Sequence, residues 1–174
     1  AALLGKKIQT DQSATALTKD DLSPVTVADF ASQALVGRLL GDRFPDEVLV
    51  AEEDAAALRS PAEAPALTQV TRYLGEVYPG VSVDQVLTWI DRGGAKPGDR
   101  YWTLDPIDGT KGFLRGDQYV VALALVVEGQ VVVGALGCPT LNQDIVPQED
   151  SDGLIFVAVN GEGAWAKGME GGEF

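Results

Sequence analysis

Trp102-Thr-Leu-Asp-Pro-Ile-Asp-Gly-Thr-Lys-Gly-Phe-Leu-Arg-Gly116 is the stretch on which the reading of this chain turns. It sets two carboxylates, Asp105 and Asp108, three residues apart at the end of an apolar run, with Gly109-Thr110 directly behind them. Carboxylates this close repel each other unless positive charge lies between them, and a bound divalent cation is the economical source. All-oxygen donors favour Mg²⁺, Mn²⁺ or Ca²⁺ over softer metals, and the Ile107 carbonyl between the two acids offers one more hard oxygen. The unencumbered N–H groups of Gly109 and Thr110 suit a phosphate. The competing reading is a plain turn, because Asp-Pro and Asp-Gly are common turn dipeptides. The metal reading is preferred because residues 101–104 read as a strand, which places both acids at a strand end.

Outward from this motif, the pattern is helices first and hairpins later. Residues 119–127 and 131–136 flank Glu128-Gly129-Gln130, and residues 154–159 and 164–166 flank Asn160-Gly-Glu-Gly163, which predicts two hairpins. The first pair is apolar at consecutive positions, so both faces of the sheet are expected to be covered. Toward the N-terminus, Val27, Phe30, Ala31, Ala34, Leu35 and Leu39 fall at helical spacing. That helix is expected to start near Thr26 and stop near Gly41, with Pro45 barring continuation. The polar residues 10–24 read as a loop. Val48-Leu-Val-Ala51 reads as a short buried strand that ends at Glu52-Glu53. Residues 54–68, alanine-rich with Pro61 and Pro65, read as a broken helix or a mobile surface segment, and two helices follow over 67–77 and 83–90. The fold class is therefore α+β, with helices packed on a mainly antiparallel sheet.

Bulk properties narrow the chemistry. The chain has 174 residues, 45% of them apolar, and a mean hydropathy of +0.05, which suits a single domain with a sizeable core. A net charge of −13 and a pI near 4.2 argue against a nucleic-acid surface. A small phosphorylated substrate stays open, since a bound cation reverses the local field. No apolar run is long enough to span a bilayer, and no signal-peptide pattern opens the chain. Histidine is absent, so any general base here is a carboxylate, a hydroxyl or a metal-activated water. The single cysteine, Cys138, excludes an intramolecular disulfide, fits a reducing compartment and reads as a small buried hydrophobe.

Several other residues carry two readings each. Asp29 closes the pattern Thr26-Val-Ala-Asp29, and on the residues alone a capping box is the preferred account. Glu52 and Glu53 read as a solvated pair at a helix start, unless strand 48–51 lies beside strand 101–104 and brings Glu52 next to Asp105. Thr110 reads as the N-cap of a helical turn beginning at Lys111, or as a hydroxyl that orients a water. Lys111 and Arg115 either attract phosphate or balance the acids.

These signals come in the order seen in a known family. Ser23-Pro-Val-Thr-Val-Ala-Asp29, Ala51-Glu-Glu53, the long run from Asp105 to Gly116, and Gly137-Cys-Pro139 resemble the lithium-sensitive, Mg²⁺-dependent phosphatases related to inositol monophosphatase. Within that superfamily the longer match is to the 3′(2′),5′-bisphosphate nucleotidases. The resemblance implies the N-terminal domain of the inositol monophosphatase/sugar phosphatase-like fold over residues 1–174. It implies two or three Mg²⁺ sites, with Mn²⁺ able to substitute. Glu52, Asp105 and the Ile107 carbonyl would hold one ion, and Asp105 with Asp108 a second. Asp29 and Thr110 would position and deprotonate water, and Asp29 or Glu53 would meet a weaker third ion. Gly109, Thr110 and Lys111 would receive the phosphate.

The implied substrate is a phosphorylated nucleotide, 3′-phosphoadenosine 5′-phosphate, with 3′-phosphoadenylyl sulfate a second candidate. Inositol polyphosphate or sugar phosphatase activity is the near alternative, and a folded module without activity of its own the more distant one. No nucleic-acid or membrane partner is implied, and the location is expected to be cytoplasmic, or organellar if a targeting segment has been removed. The family also supplies a metal-binding aspartate from a Trp-Asp pair in a second domain. None of Trp89, Trp102 and Trp165 is followed by Asp. A C-terminal domain outside this chain is therefore expected to complete the site.

Overall fold

A 20-residue helix, α2 (Pro24–Arg43), forms the centre of the computed structural model, which describes residues 1–15, 24–148 and 151–170. Val27, Ala28, Phe30, Ala31, Ala34, Leu35 and Val36 are all buried along it, as are Ser32 and Gln33. A helix apolar on so much of its circumference has to lie between layers. On one side lie the sheet and α1 (Ala2–Thr15), and on the other α4 (Ala64–Val77) and α5 (Val83–Asp91) contribute Val70, Tyr73, Leu74, Val86 and Ile90 to the core. Pro61 and Pro65 break the intervening segment as the sequence predicts. A short α3 (Ala55–Leu58) and a 3₁₀ turn (Pro61–Glu63) precede α4.

Among the described residues six strands run in sheet order β1 (Leu49–Ala51), β2 (Arg100–Asp108), β3 (Val120–Val127), β4 (Gln130–Cys138), β5 (Leu154–Val159) and β6 (Gly163–Gly168). Only β1 and β2 pair in parallel, and every other neighbour is antiparallel. Glu128 and Gly129, both at positive φ (50° and 77°), make the two-residue turn between β3 and β4. That backbone matches the twist of the flanking strands. No described helix is long and apolar enough to cross a membrane.

Four expectations need correction. Residues 10–15 are helical rather than looped: α1 runs to Thr15, since polar side chains do not prevent a helix when its other face is anchored. The anchors are the buried Leu4 and Ile8 and the Tyr119 hydroxyl, which donates to the Ala2 carbonyl at 3.0 Å. The remainder of that expected loop, residues 16–23, lies outside the described residues. Helix α2 starts at Pro24, so Thr26 is already inside it and cannot cap it. Gly41 does not end α2 either; the helix continues to Arg43, two residues short of Pro45. Last, only one face of the sheet is covered among the described residues. Helices α1 and α2 lie against the face presented by Leu104, Val121 and Gly137. On the other side a groove of about 570 Å³ runs from Asp105 over Ala122, Ala124, Leu136 and Phe156. Continuous apolarity was the signal read, but these side chains are mostly small and no described helix reaches them.

The close fit of α2 against α5 makes a stability prediction. A Cβ on Gly37 would come 2.2 Å from the Trp89 carbonyl oxygen, a backbone atom that cannot swing aside. Gly37→Ala is expected to destabilise the protein by about 1–3 kcal/mol, the usual range for an overpacked core. Urea unfolding measures this, and an unchanged midpoint would mean that α5 is free to retreat.

Candidate metal-dependent active site

The acids come together because of how β1 enters the sheet. The register Leu49↔Trp102, Val50↔Thr103 and Ala51↔Leu104 brings Glu52 off the end of β1 at the level of Asp105. This is the adjacency on which the second reading of Glu52 depended. The entry to β1 is itself held: Arg92 donates through Nη2 to the carbonyls of Phe44, Pro45 and Glu47, at 2.8, 3.1 and 3.1 Å. Neither Glu52 nor Glu53 caps the helix that follows. Asp54 does so, accepting from the Ala56 N–H at 2.7 Å.

The acidic motif belongs to β2 itself and ends in a bulge. Pairing moves from Asp105↔Ala122 to Asp108↔Val120, three steps on one strand against two on the other. Pro106, which has no N–H to give a ladder, is accommodated there. The bulge buries Ile107, leaves Asp108 exposed, and lets the Asp105 carboxylate accept from the Ile107 N–H at 3.2 Å. Gly109, at φ 96°, then turns the chain into α6 (Thr110–Leu114). Thr110 is thus the first helical residue rather than the cap, and Gly109 occupies the cap position. The Thr110 hydroxyl donates to the Ile107 carbonyl at 3.5 Å. Gly112 lets α6 pack tightly, as a Cβ there would sit 2.2 Å from the Gln118 carbonyl oxygen.

Asp29 projects from α2 into this group and is 7% exposed. Its pKa is pushed from 3.8 up to about 8, first by burial and then by the charges of Glu53, Glu52 and Asp105. The Asp105 carboxyl is also held above its ordinary range, by burial and by Glu52 and Asp108, against the opposing hydrogen bond from Ile107. Burial and Glu52 raise Glu53 in the same way. Asp29, Glu52, Glu53, Asp105 and Asp108 therefore share one electrostatic neighbourhood. None of them forms an ion pair among the described residues. Nor do any three acidic, thiol or imidazole side chains among the described residues form a ready-made cage for a metal. The donor set of hard, uncompensated oxygens fits a divalent cation such as Mg²⁺.

The basic residues divide. Lys111 is exposed on α6 and forms no ion pair among the described residues, while Arg115 pairs with Asp117 at 2.8 Å. Cys138 is buried, as its sequence context implied. Trp102 is partly buried against the core, its ring centroid 5.9 Å from that of Phe44.

One residue at this site escaped the sequence reading. Gln33 is fully buried and lies four positions beyond Asp29 on α2. It accepts from the Glu53 N–H at 2.9 Å and donates to the Glu53 carbonyl at 2.7 Å. The available signal was an amide among the apolar positions of the α2 stripe.

The chain resembles known proteins along most of its length. The chain is 41% identical to 3′(2′),5′-bisphosphate nucleotidase 1 of Candida albicans, over 95% of this chain and 50% of that protein. It is 42% identical to 3′(2′),5′-bisphosphate nucleotidase of Schizosaccharomyces pombe, over 91% and 48% respectively. For 3′(2′),5′-bisphosphate nucleotidase 1 of Arabidopsis thaliana the figures are 43%, 85% and 47%. The chain thus spans about half the length of the curated relatives it matches. Among solved structures, Mycobacterium tuberculosis SuhB superposes with a TM-score of 0.53 at 20% identity, covering 98% of this chain and 46% of that one, a likeness of fold. Residues 2–172 match the profile of the inositol monophosphatase family, and the chain belongs to that family.

Proposed function

We propose that this chain carries the metal-binding part of a Mg²⁺-dependent phosphatase that removes the 3′-phosphate of 3′-phosphoadenosine 5′-phosphate, leaving AMP. 3′-Phosphoadenylyl sulfate is a second substrate under this reading. The observation that supports it most is the shared field of Asp29, Glu52, Glu53 and Asp105, acids from three separate segments with no cation among the described residues to balance them. The printed names of the curated relatives supply the substrate class. Such a reaction suits a reducing, cytoplasmic or organellar compartment.

Glu52, Asp105 and the Ile107 carbonyl would hold one Mg²⁺, and Asp105 with Asp108 a second. Glu53 and Asp29 offer oxygens to a weaker third site, and Mn²⁺ is expected to substitute. Bound Mg²⁺ supplies Lewis-acid polarisation of the phosphoryl group and acidifies a water. The work of the chain itself is positioning and proton handling. Burial and the neighbouring acids raise the proton affinity of Asp29, so its carboxylate, once ionised, is a stronger base toward water than an ordinary aspartate. Thr110 orients that water through its hydroxyl, which reaches the Ile107 carbonyl. The N–H groups of Gly109 and Thr110 and the ammonium of Lys111 receive the phosphate oxygens.

The substrate test is direct. In the whole protein, Mg²⁺-dependent phosphate release from 3′-phosphoadenosine 5′-phosphate is expected to exceed release from inositol 1-phosphate at least tenfold in kcat/KM, with inhibition by millimolar Li⁺. The reverse order would assign the chain to the inositol or sugar phosphate branch. No release from either, with Mg²⁺ present, would leave a folded module without this activity.

A further inference from the structure

Among the described residues no hydrogen bond aims the Glu52 side chain, yet both residues beside it are fixed. Ala51 donates its N–H to the Gly93 carbonyl at 2.8 Å. Glu53 gives its N–H to Gln33 Oε1 at 2.9 Å and takes a hydrogen from Gln33 Nε2 at 2.7 Å. The second hydrogen of that amide goes to the Ile90 carbonyl at 3.0 Å, at the end of α5. Gln33 therefore uses both donors and its acceptor on three backbone groups from two separate segments. It is fully buried, with no exposed surface. An unbranched apolar side chain such as Met would fill a similar volume but leave the Glu53 N–H and the Glu53 and Ile90 carbonyls without this partner, so the amide ties the Glu52-Glu53 turn to α2 and α5. Gly93 keeps the space open: a Cβ there would lie 2.6 Å from Gln33 Nε2 and 2.8 Å from the Ala51 Cβ.

We infer that Gln33 is a positioning residue, a backbone clamp that fixes the Glu52-Glu53 turn against α2 and so sets both carboxylates relative to Asp29. Positions four apart share one helix face, so the group that carries Asp29 into the cluster also carries the clamp. Gln33 pins the N–H of the Glu52–Glu53 peptide and the C=O of the Glu53–Asp54 peptide, so both peptides flanking the Glu53 Cα are tethered. Their rotation is what would swing the carboxylates off their target. Gly93 belongs to the same device, because its missing side chain is the room in which the amide lies. The inference rests on the proposal that Glu52 and Glu53 face a divalent cation.

The test uses Mn²⁺ alone as probe, with the free ion counted by its electron paramagnetic resonance signal. Gln33→Met is expected to bind Mn²⁺ at least tenfold more weakly than the wild type, within the range for losing a residue that orients metal ligands. Its unfolding in EDTA should stay cooperative, and raising Mg²⁺ should recover much of the lost kcat/KM, which a collapsed site would not allow. Gly93→Ala, which displaces the amide without altering it, should weaken binding in the same direction. The double variant should be no weaker than the weaker single one, the signature of two residues acting as a unit. Should Gln33→Met fail to fold, Gly93→Ala carries the test. If both bind Mn²⁺ within twofold of wild type while Glu52→Gln loses it, the clamp is wrong and the metal reading stands. If Glu52→Gln also binds as wild type, the metal reading fails and the clamp falls with it.

Discussion

Asp105→Asn is expected to lower kcat/KM for 3′-phosphoadenosine 5′-phosphate by about three orders of magnitude, equivalent to roughly 4 kcal/mol of transition-state stabilisation. The size follows from Asp105 being the acid that both proposed cation positions share, so one substitution weakens two Lewis acids together. The amide keeps the volume and leaves an oxygen to accept the Ile107 N–H, the contact that shapes the bulge. Fold and metal binding can therefore be separated. In EDTA the variant should be at least as stable as the wild type, because a carboxylate held above its ordinary pKa by burial and by Glu52 and Asp108 is a burden on the metal-free fold. Glu47→Gln is the control for general loss of charge. Glu47 pairs with Arg100 at 2.7 Å, outside the acidic group, and its removal should change turnover less than twofold. A loss of under tenfold in Asp105→Asn, with folding intact, would remove Asp105 from the centre of the site.

How much of this was legible beforehand differs from residue to residue. The hairpin at Glu128-Gly129 was readable because it is local: two residues at positive φ, one of them Gly, between two apolar runs. The convergence of Glu52 on Asp105 was legible only as a condition. No local signal says that a three-residue strand will lie parallel to one some fifty positions later, and the pairing of Ala51 with Leu104 meets that condition. The capping box at Thr26 failed for a readable reason. Pro24 suits the first turn of a helix, where its missing N–H is not needed, and that cue outweighs the Thr-x-x-Asp spacing. With the cap removed, Asp29 loses its bland explanation and stands as a buried acid among other acids. Gln33 was not legible as functional because its partners are the backbone of Glu53 and Ile90, and backbone partners leave no trace in side-chain identity. The open face of the sheet was misread because apolar residues at consecutive positions say that both faces avoid water, and not which segment covers them.

The field that gathers these acids should also be measurable in the metal-free protein. Native Asp29 keeps its proton to about pH 8, whereas in the unfolded chain it releases it near the ordinary 3.8. Between those values the folded state binds more protons than the unfolded one, so the free energy of unfolding falls as pH rises. The limiting slope for one such group is about 1.4 kcal/mol per pH unit. Glu53 and Asp105 are raised as well and act in the same direction. In EDTA, moving from pH 5 to pH 7.5 should therefore remove about 3 kcal/mol, or roughly 6–12 °C in Tm for a chain of this size. The overall charge of −13 also disfavours the folded state at higher pH, so the decisive comparison is with Asp29→Asn. That variant retains nearly all the background charge but lacks the titrating group, and its stability should vary with pH about 3 kcal/mol less over the same interval. Millimolar Mg²⁺ at pH 7.5 should restore wild-type stability by binding only the folded form, and should do so less in the variant. Equal slopes for wild type and Asp29→Asn in EDTA would mean that Asp29 ionises freely. The carboxylate would then be hydrated, and it could be neither the buried acid nor the proton acceptor that the site requires.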